Sequence, residues 1–227
     1  MQNGKNMNIA IFIIAAVTSY LIAGINPAIV MSKLIYKKDI RNEGSKNPGF
    51  TNFKRVFGMK WAWLVMLLDL AKAFVLEAVF GVLFEKILGA GYFSLGVAFT
   101  GLFAMLGHAY PIWYKFHGGK AYLVVLSTLW MLNWITGLCC TAFMMIMVVA
   151  VKYMSVATLL SIMIGAVILP FAGVETLPSI IYAFCVLFVI YRHKENIKRL
   201  FRGEESKTYF FKSKKDKKTS VDEEVSK

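Results

Sequence analysis

The sequence predicts an all-α integral membrane protein, a bundle of about seven transmembrane helices with the N-terminus outside and the C-terminus cytoplasmic. Three observations carry this. Only 17% of the 227 residues are charged and 58% are hydrophobic, whereas a soluble domain carries about 25% charged residues. Mean hydropathy is +0.59, more apolar surface than one compact core can hide. The apolar residues fall into runs near the ~20 that a spanning helix needs, and the basic residues lie between the runs.

The first run covers roughly 8–35. Lys5 followed by an apolar stretch from Ile9 imitates a secretory signal. The run is longer than a signal core of about 7–15 residues and lacks a small-x-small cleavage site, so it reads as a retained helix. Further spans are expected at 61–84, 90–114, 121–136, 138–151, 154–171 and 178–191. Residues 121–151 form one stretch too long for a single span, and Asn133 to Gly137 gives its only hinge signal. Two short spans result.

Orientation follows from Lys and Arg in the loops. Lys37, Lys38, Arg41, Lys46, Lys54, Arg55 and Lys60 follow the first span, Lys115 and Lys120 the third, Lys152 the fifth, and Arg192, Lys194, Lys198, Arg199 and Arg202 the seventh. The opposite loops hold little beyond Lys86, Glu85 and Glu175. All four basic joints then share the cytoplasmic side, and an odd number of spans is what makes them agree. Residues 1–203 form the membrane domain, and 204–227 a polar, Lys-rich tail expected to be disordered or to skim the lipid surface.

The formal net charge of +13 suits anionic lipid headgroups or anionic substrates. It does not suit nucleic acid, because no soluble fold carries the basic face. Cys139, Cys140 and Cys185 sit in apolar runs without ligand spacing. They indicate neither a metal site nor a disulfide framework.

Three joints hold residues that can carry chemistry. In 39–55, Gly44 and Gly49 permit positive φ, so successive N–H groups can converge on an anion. Ser45, Asn47, Thr51 and Asn52 add neutral donors, and Arg55 a planar fork suited to phosphate. In 116–120, Gly118-Gly119-Lys120 before a helix places N–H groups, the positive helix end and an ammonium together; a simple turn reads the same way. In 192–197, His193 and Asn196 share one helical face at the membrane surface, where a stop-transfer cluster would look alike. Inside the second span Asp69 and Lys72, three apart, read as a structural ion pair, and His108 as a hydrogen-bonded packing residue.

In their order and spacing these pieces resemble the acyl-phosphate-dependent glycerol-3-phosphate acyltransferases, the PlsY family. The resemblance runs from Ser19 to Gly203. It rests on Asp39-Ile40-Arg41, Gly44-Ser45-x-Asn47 with Thr51-Asn52 and Arg55, Leu67-Leu68-Asp69-x-x-Lys72, Gly107-His108-x-x-Pro111, Phe116-x-Gly118-Gly119-Lys120 and Arg192-His193-x-x-Asn196-Ile197. It implies a seven-span bundle in the bacterial plasma membrane with a cytoplasmic site. There acyl phosphate would acylate glycerol 3-phosphate, giving lysophosphatidic acid and phosphate without cofactor or metal. It implies catalytic roles for Ser45, Arg55, Lys120, His193 and Asn196, and substrate binding by Gly44, Asn47, Asn52, Gly118 and Gly119. Membrane lipid and an acyl-phosphate-producing enzyme are the implied partners. His193 would orient a substrate or accept its proton.

The chain departs from the family pattern in its Ala23-Gly24, Lys46, Pro48 and Phe50, and above all in His117 and Ala121. His117 removes a cation from the expected cradle. Ala121 removes a flexible joint, so the next helix is expected to begin one residue early with Ala121 at helical φ. A non-catalytic binder or transporter of an organic phosphate is the competing reading, hinted at only by a helix break at Asn26-Pro27. The acyltransferase motif of His and an Asp five residues on is absent: Trp113, Tyr122 and Lys198 stand at that distance from the three histidines.

Overall fold

A computed structural model describes residues 2–208, whose regular elements are all helices. The helices are α1 (Gln2–Ala23), α2 (Pro27–Tyr36), α3 (Phe50–Phe57), α4 (Met59–Leu88), α5 (Phe93–Ala109), α6 (Tyr122–Leu132), α7 (Trp134–Val151), α8 (Met154–Ile168), α9 (Thr176–Arg192) and α10 (Lys194–Phe201). Lipid-facing positions stay apolar: Ile13, Val75, Ile146 and Leu187 are each more than half exposed. This is what a bundle shows when its outer solvent is hydrocarbon.

Helix α5 lies at the centre, packed on α1, α4, α6 and α9, while α7 and α8 pair beside α6. Close approach depends on small residues. A Cβ on Gly107 would lie 2.1 Å from the Tyr20 carbonyl oxygen of α1, and one on Gly101 2.4 Å from Thr128 Oγ1 of α6. On the far side of that contact Glu77 of α4 is fully buried and accepts hydrogen bonds from Ser127 Oγ and Thr128 Oγ1, both at 2.6 Å. Phe12, Phe84 and Phe99 close the α1–α4–α5 seam edge to face.

Each expected span has a helical counterpart, but the lengths differ from the expectation. Four stretches among the described residues are long and apolar enough to cross a membrane: Met7–Tyr36, Phe93–Tyr114, Trp134–Val151 and Met154–Ala172. A fifth counts if α9 and α10, which meet at 55°, form one broken span. Helix α4 has 30 residues but carries Asp69, Lys72 and Glu77 within the apolar run. The 11 residues of α6 rise only ~16 Å, about half a hydrocarbon core. The hinge between α6 and α7 falls at Asn133, whose side chain accepts from the Thr136 N–H at 2.9 Å and caps α7.

The first run is not one continuous helix. It breaks between Ala23 and Pro27, where Asn26 caps α2 by accepting from the Ile29 N–H. The break lies a little past the middle of the run, and Met7–Tyr36 still counts as one candidate span. Two short amphipathic helices were also not separated in the sequence reading: α3, and α10 beyond a sharp bend at His193. Of the tail expected at 204–227, residues 204–208 are ordered against the bundle; the remainder lies outside the described residues.

Replacing Gly107 by Ala sets a methyl against a main-chain oxygen that cannot swing away. A loss of about 1–3 kcal/mol is expected, read as a lowered unfolding midpoint in detergent.

Candidate active site

Three joints converge at one end of the bundle. The 39–55 joint starts at the end of α2, where Lys37 takes a left-handed φ of 55°. Asp39 then caps a single 3-10 turn by accepting from the Arg41 N–H, and the Arg41 guanidinium grips the same carboxylate at 2.7 Å. That guanidinium holds the Asp39 carboxyl well below the usual range. Arg41 also donates to the Tyr114 carbonyl at 3.1 Å. It therefore ties the first joint to the second.

Asn52 sets the shape of the Ser45 turn. It is 1% exposed; its Oδ1 accepts from the Ser45 N–H at 2.8 Å, and its Nδ2 donates to the Glu43 carbonyl at 2.9 Å. A Cβ on Gly44, at φ +56°, would sit 2.4 Å from that Oδ1. Gly44 thus serves the turn by its conformation and its lack of a side chain. Gly49, expected to share this freedom, is extended at φ −151° and stands before α3; the second left-handed residue is Lys46, at φ 59°. Asn52 is committed to the turn, Ser45 stays exposed, and Arg55 on α3 has no hydrogen-bond partner among the described residues.

In the 116–120 joint the glycines do something other than expected. The Gly118 N–H donates to the Ala109 carbonyl at 3.2 Å and the Gly119 N–H to the His108 carbonyl at 3.1 Å. These donors are therefore not offered to an anion. The glycines permit close packing instead: a Cβ on Gly118 would lie 2.1 Å from the His108 oxygen, and one on Gly119 2.2 Å from His108 Nε2. Their carbonyls accept from Arg192 Nη2 at 3.2 and 3.0 Å, so the second joint is also fastened to the third. Ala121 is not helical as expected. It is left-handed at φ 61° and precedes α6, which starts at Tyr122, a conformation that costs an L-residue roughly 1–2 kcal/mol. His117 is exposed, lies against the Lys115 carbonyl and lines neither cavity described below. Its substitution leaves the cradle intact.

The third joint supplies His193 and Asn196, 5% and 9% exposed. His193 Nδ1 lies 2.8 Å from the Val189 carbonyl. A carbonyl only accepts, so the proton is on Nδ1 and Nε2 keeps its lone pair. Burial, together with the neighbouring Lys120, pushes the His193 pKa down to about 4. Lys120 donates to Asn196 Oδ1, and burial lowers its pKa to about 8.

Sequence reasoning missed Glu205. Its side chain is 9% exposed and accepts from Asn196 Nδ2 at 2.6 Å, Ser155 Oγ at 3.1 Å and Arg199 Nε at 2.8 Å. The signal available was an acidic pair, Glu204-Glu205, just beyond an amphipathic helix in a basic tail. One carboxylate amid Arg55, Lys120 and Arg199 leaves a surplus of positive charge.

Two cavities share this charged wall. One, about 330 Å³, runs from Ser45, Arg55, Lys120, His193 and Asn196 into an apolar region of Phe50, Trp63, Leu126, Met144 and Met145. The other, about 280 Å³, is lined by Ser45, Lys46, Asn47, Gly118, Lys120, Tyr191, Arg192, Lys194, Asn196 and Arg199, with Glu195 as its one acid. Ser45, Asn47, Lys120, Asn196 and Arg199 border both. Of the residues expected to line a substrate site, Ser45, Asn47, Asn52, Arg55, Lys120, His193 and Asn196 meet at the cavities, with Gly118 at the edge of the smaller. Gly44 and Gly119 support the walls. Among the described residues no cluster of three His, Cys, Asp or Glu could hold a metal ion.

The family model for glycerol-3-phosphate acyltransferase matches residues 13–203. The glycerol-3-phosphate acyltransferase of Mycoplasmopsis synoviae is 35% identical, covering 91% of this chain and 98% of that one. The Finegoldia magna protein of the same description is 36% identical over 88% of this chain and 98% of its own. Among solved structures, the crystal structure of PlsY (YgiH), an integral membrane glycerol 3-phosphate acyltransferase, superposes in its glycerol 3-phosphate form with a TM-score of 0.79 at 29% identity. That match covers 87% of this chain and 96% of the other. The lysophosphatidic acid form gives 0.75 at 28% identity over 86% and 94%.

Asn52→Ala removes the hydrogen bonds to Ser45 and Glu43, and a longer one to the Ile40 carbonyl at 3.4 Å, and strands the Ser45 N–H. It is expected to destabilise by about 1–3 kcal/mol. Asn52→Asp, which keeps the acceptor and loses the donors, should fall between it and the wild type in thermal unfolding.

Proposed function

The chain belongs to the glycerol-3-phosphate acyltransferase family, and from that premise we propose that its two cavities receive the two substrates of one transfer. The protein is an integral membrane glycerol-3-phosphate acyltransferase. Its larger cavity takes an acyl phosphate, headgroup at the cations and chain among Phe50, Trp63, Met144 and Met145. Its smaller, polar cavity takes glycerol 3-phosphate from water. The carrying observation is the shared wall of Ser45, Lys120 and Asn196, which brings the two headgroups side by side.

The residue types support a transfer without a covalent intermediate. An acyl phosphate is already activated, so the task is to hold two anions together and place a hydroxyl against a carbonyl. Lys120 and Arg55 offset the repulsion between the phosphates and stabilise charge developing on the departing one. The glycerol oxygen forms the new ester bond to the acyl carbon as the bond from that carbon to the phosphate oxygen breaks. His193 Nε2, with its lone pair free, accepts a hydrogen bond from the attacking hydroxyl and aims it. A group with a pKa of about 4 holds a proton poorly at neutral pH. The proton therefore passes to the departing phosphate, whose second pKa is about 6, and His193 acts as an orienting group.

We further propose seven crossings, N-terminus outside, with the site at the cytoplasmic face. All three joints that build the site are basic, and α3 and α10 are amphipathic helices suited to lie at that surface. A reporter fused after Gly203 should be active only in the cytoplasm, and periplasmic activity would overturn this orientation.

The purified protein should release phosphate and form lysophosphatidic acid from acyl phosphate and glycerol 3-phosphate, and form none from acyl-CoA or acyl carrier protein. Lys120→Ala should lower turnover by about a hundredfold or more; wild-type turnover no higher than that variant's would sink the proposal, and binding without transfer would point to the carrier reading. The pH dependence has a definite sign. A lysine whose pKa is about 8 in the empty site is charged below that value and neutral above it, so KM for glycerol 3-phosphate should climb above pH 8, by up to about tenfold per unit. Lys120→Arg should push the climb to higher pH.

A further inference from the structure

We propose that Asp69, Lys72 and His108 form a positioning network that fixes the spacing between the two halves of the anion site, and thereby sets affinity for glycerol 3-phosphate. The inference rests on the assignment of that substrate to the smaller cavity.

The three side chains lie inside the bundle, on α4 and α5, with Asp69 and His108 at the wall of the larger cavity. Asp69 and His108 are 1% and 4% exposed, and the Lys72 side chain 11%. Lys72 Nζ forms an ion pair with Asp69 Oδ1 at 2.8 Å and stands 3.2 Å from His108 Nδ1. Two further links lead outward. Lys72 also donates to the Ile25 carbonyl at 2.9 Å, in the break between α1 and α2. The next residue, Asn26, donates from Nδ2 to the Pro48 carbonyl at 3.0 Å, inside the joint that carries Ser45. On the other side the His108 carbonyl accepts from the Gly119 N–H, and its ring leaves no room for a Cβ there. The residue after Gly119 is Lys120.

A continuous path of short polar contacts thus runs from the Ser45 joint to the Lys120 joint through the network. The trio joins its two ends through the interior of the bundle, beside the contact from Arg41 to the Tyr114 carbonyl at the surface. Helix packing alone does not call for this. Two ions taken out of water cost several kcal/mol each, and apolar residues of similar size usually pack at least as stably. What the ion pair provides is direction. One ammonium stands within 3.2 Å of a carboxylate, an imidazole and a main-chain oxygen at once, and the anion cradle inherits that spacing.

The test is steady-state kinetics and equilibrium binding of glycerol 3-phosphate on the full chain in detergent, with thermal unfolding alongside. The double variant Asp69→Leu/Lys72→Leu strands no charge, and should unfold at or above the wild-type temperature while KM and Kd for glycerol 3-phosphate rise about tenfold or more. The KM for acyl phosphate, held mainly by its chain, should move less than about threefold. His108→Gln should show the same split. Folded variants with wild-type affinity for glycerol 3-phosphate would overturn the proposal. So would equal losses for both substrates, and so would failure of both variants to fold, which would make the trio a folding element only. Absence of turnover in the wild type would strike the assigned function and not this inference.

Discussion

Everything at the active end of this molecule answers to one constraint: several positive charges must stay close together before their substrate anions arrive. Arg55, Lys120, Arg192 and Arg199 stand around two adjoining cavities, where partial burial strengthens their mutual repulsion. The fold gives most of them a polar hold elsewhere. Arg192 grips the carbonyls of Gly118 and Gly119 and lies over the Tyr110 ring. Arg199 pairs with Glu205, and Lys120 donates to Asn196. The holds of Arg192 and Lys120 also fasten the second joint to the third. The cations are consequently part of the scaffold as well as of the chemistry, and their spacing does not collapse when the site is empty.

Charge and hydropathy made the membrane bundle readable, because lipid imposes a strong rule on composition and loops obey a second rule on sign. The meeting of the three joints on one face was readable for the same reason. Helix lengths were less so. Hydropathy marks where an apolar run stops, and it does not register a break such as the one at Gly24–Asn26, where the Asn26 side chain caps α2. Nor does it separate a short helix like α6 from the turn that follows it.

The residues named as site candidates came together, yet the work of each was only partly visible. Asn52 was taken as a donor to substrate, and the fold spends its amide on the Ser45 turn. Gly118 and Gly119 looked like phosphate donors, and their N–H groups are bonded to the carbonyls of Ala109 and His108, the last two residues of α5. No sequence pattern distinguishes a glycine that presents its N–H from one that lets a neighbour approach; that difference lies in tertiary contacts. Glu205 escaped notice because a carboxylate in a Lys-rich tail has no periodicity to reveal that it folds back over the site.

The mixed lining of the larger cavity has a kinetic meaning. Trp63 and Met145 border it and are also 47% exposed on the lipid side of the bundle. A donor with a fatty chain would enter sideways through that wall, by diffusion in the plane of the bilayer, while its co-substrate arrives by collision from water. Saturation by the donor is then governed by its mole fraction among the surrounding lipids. Diluting the membrane with inert lipid would slow the enzyme even at a constant bulk amount of both substrates.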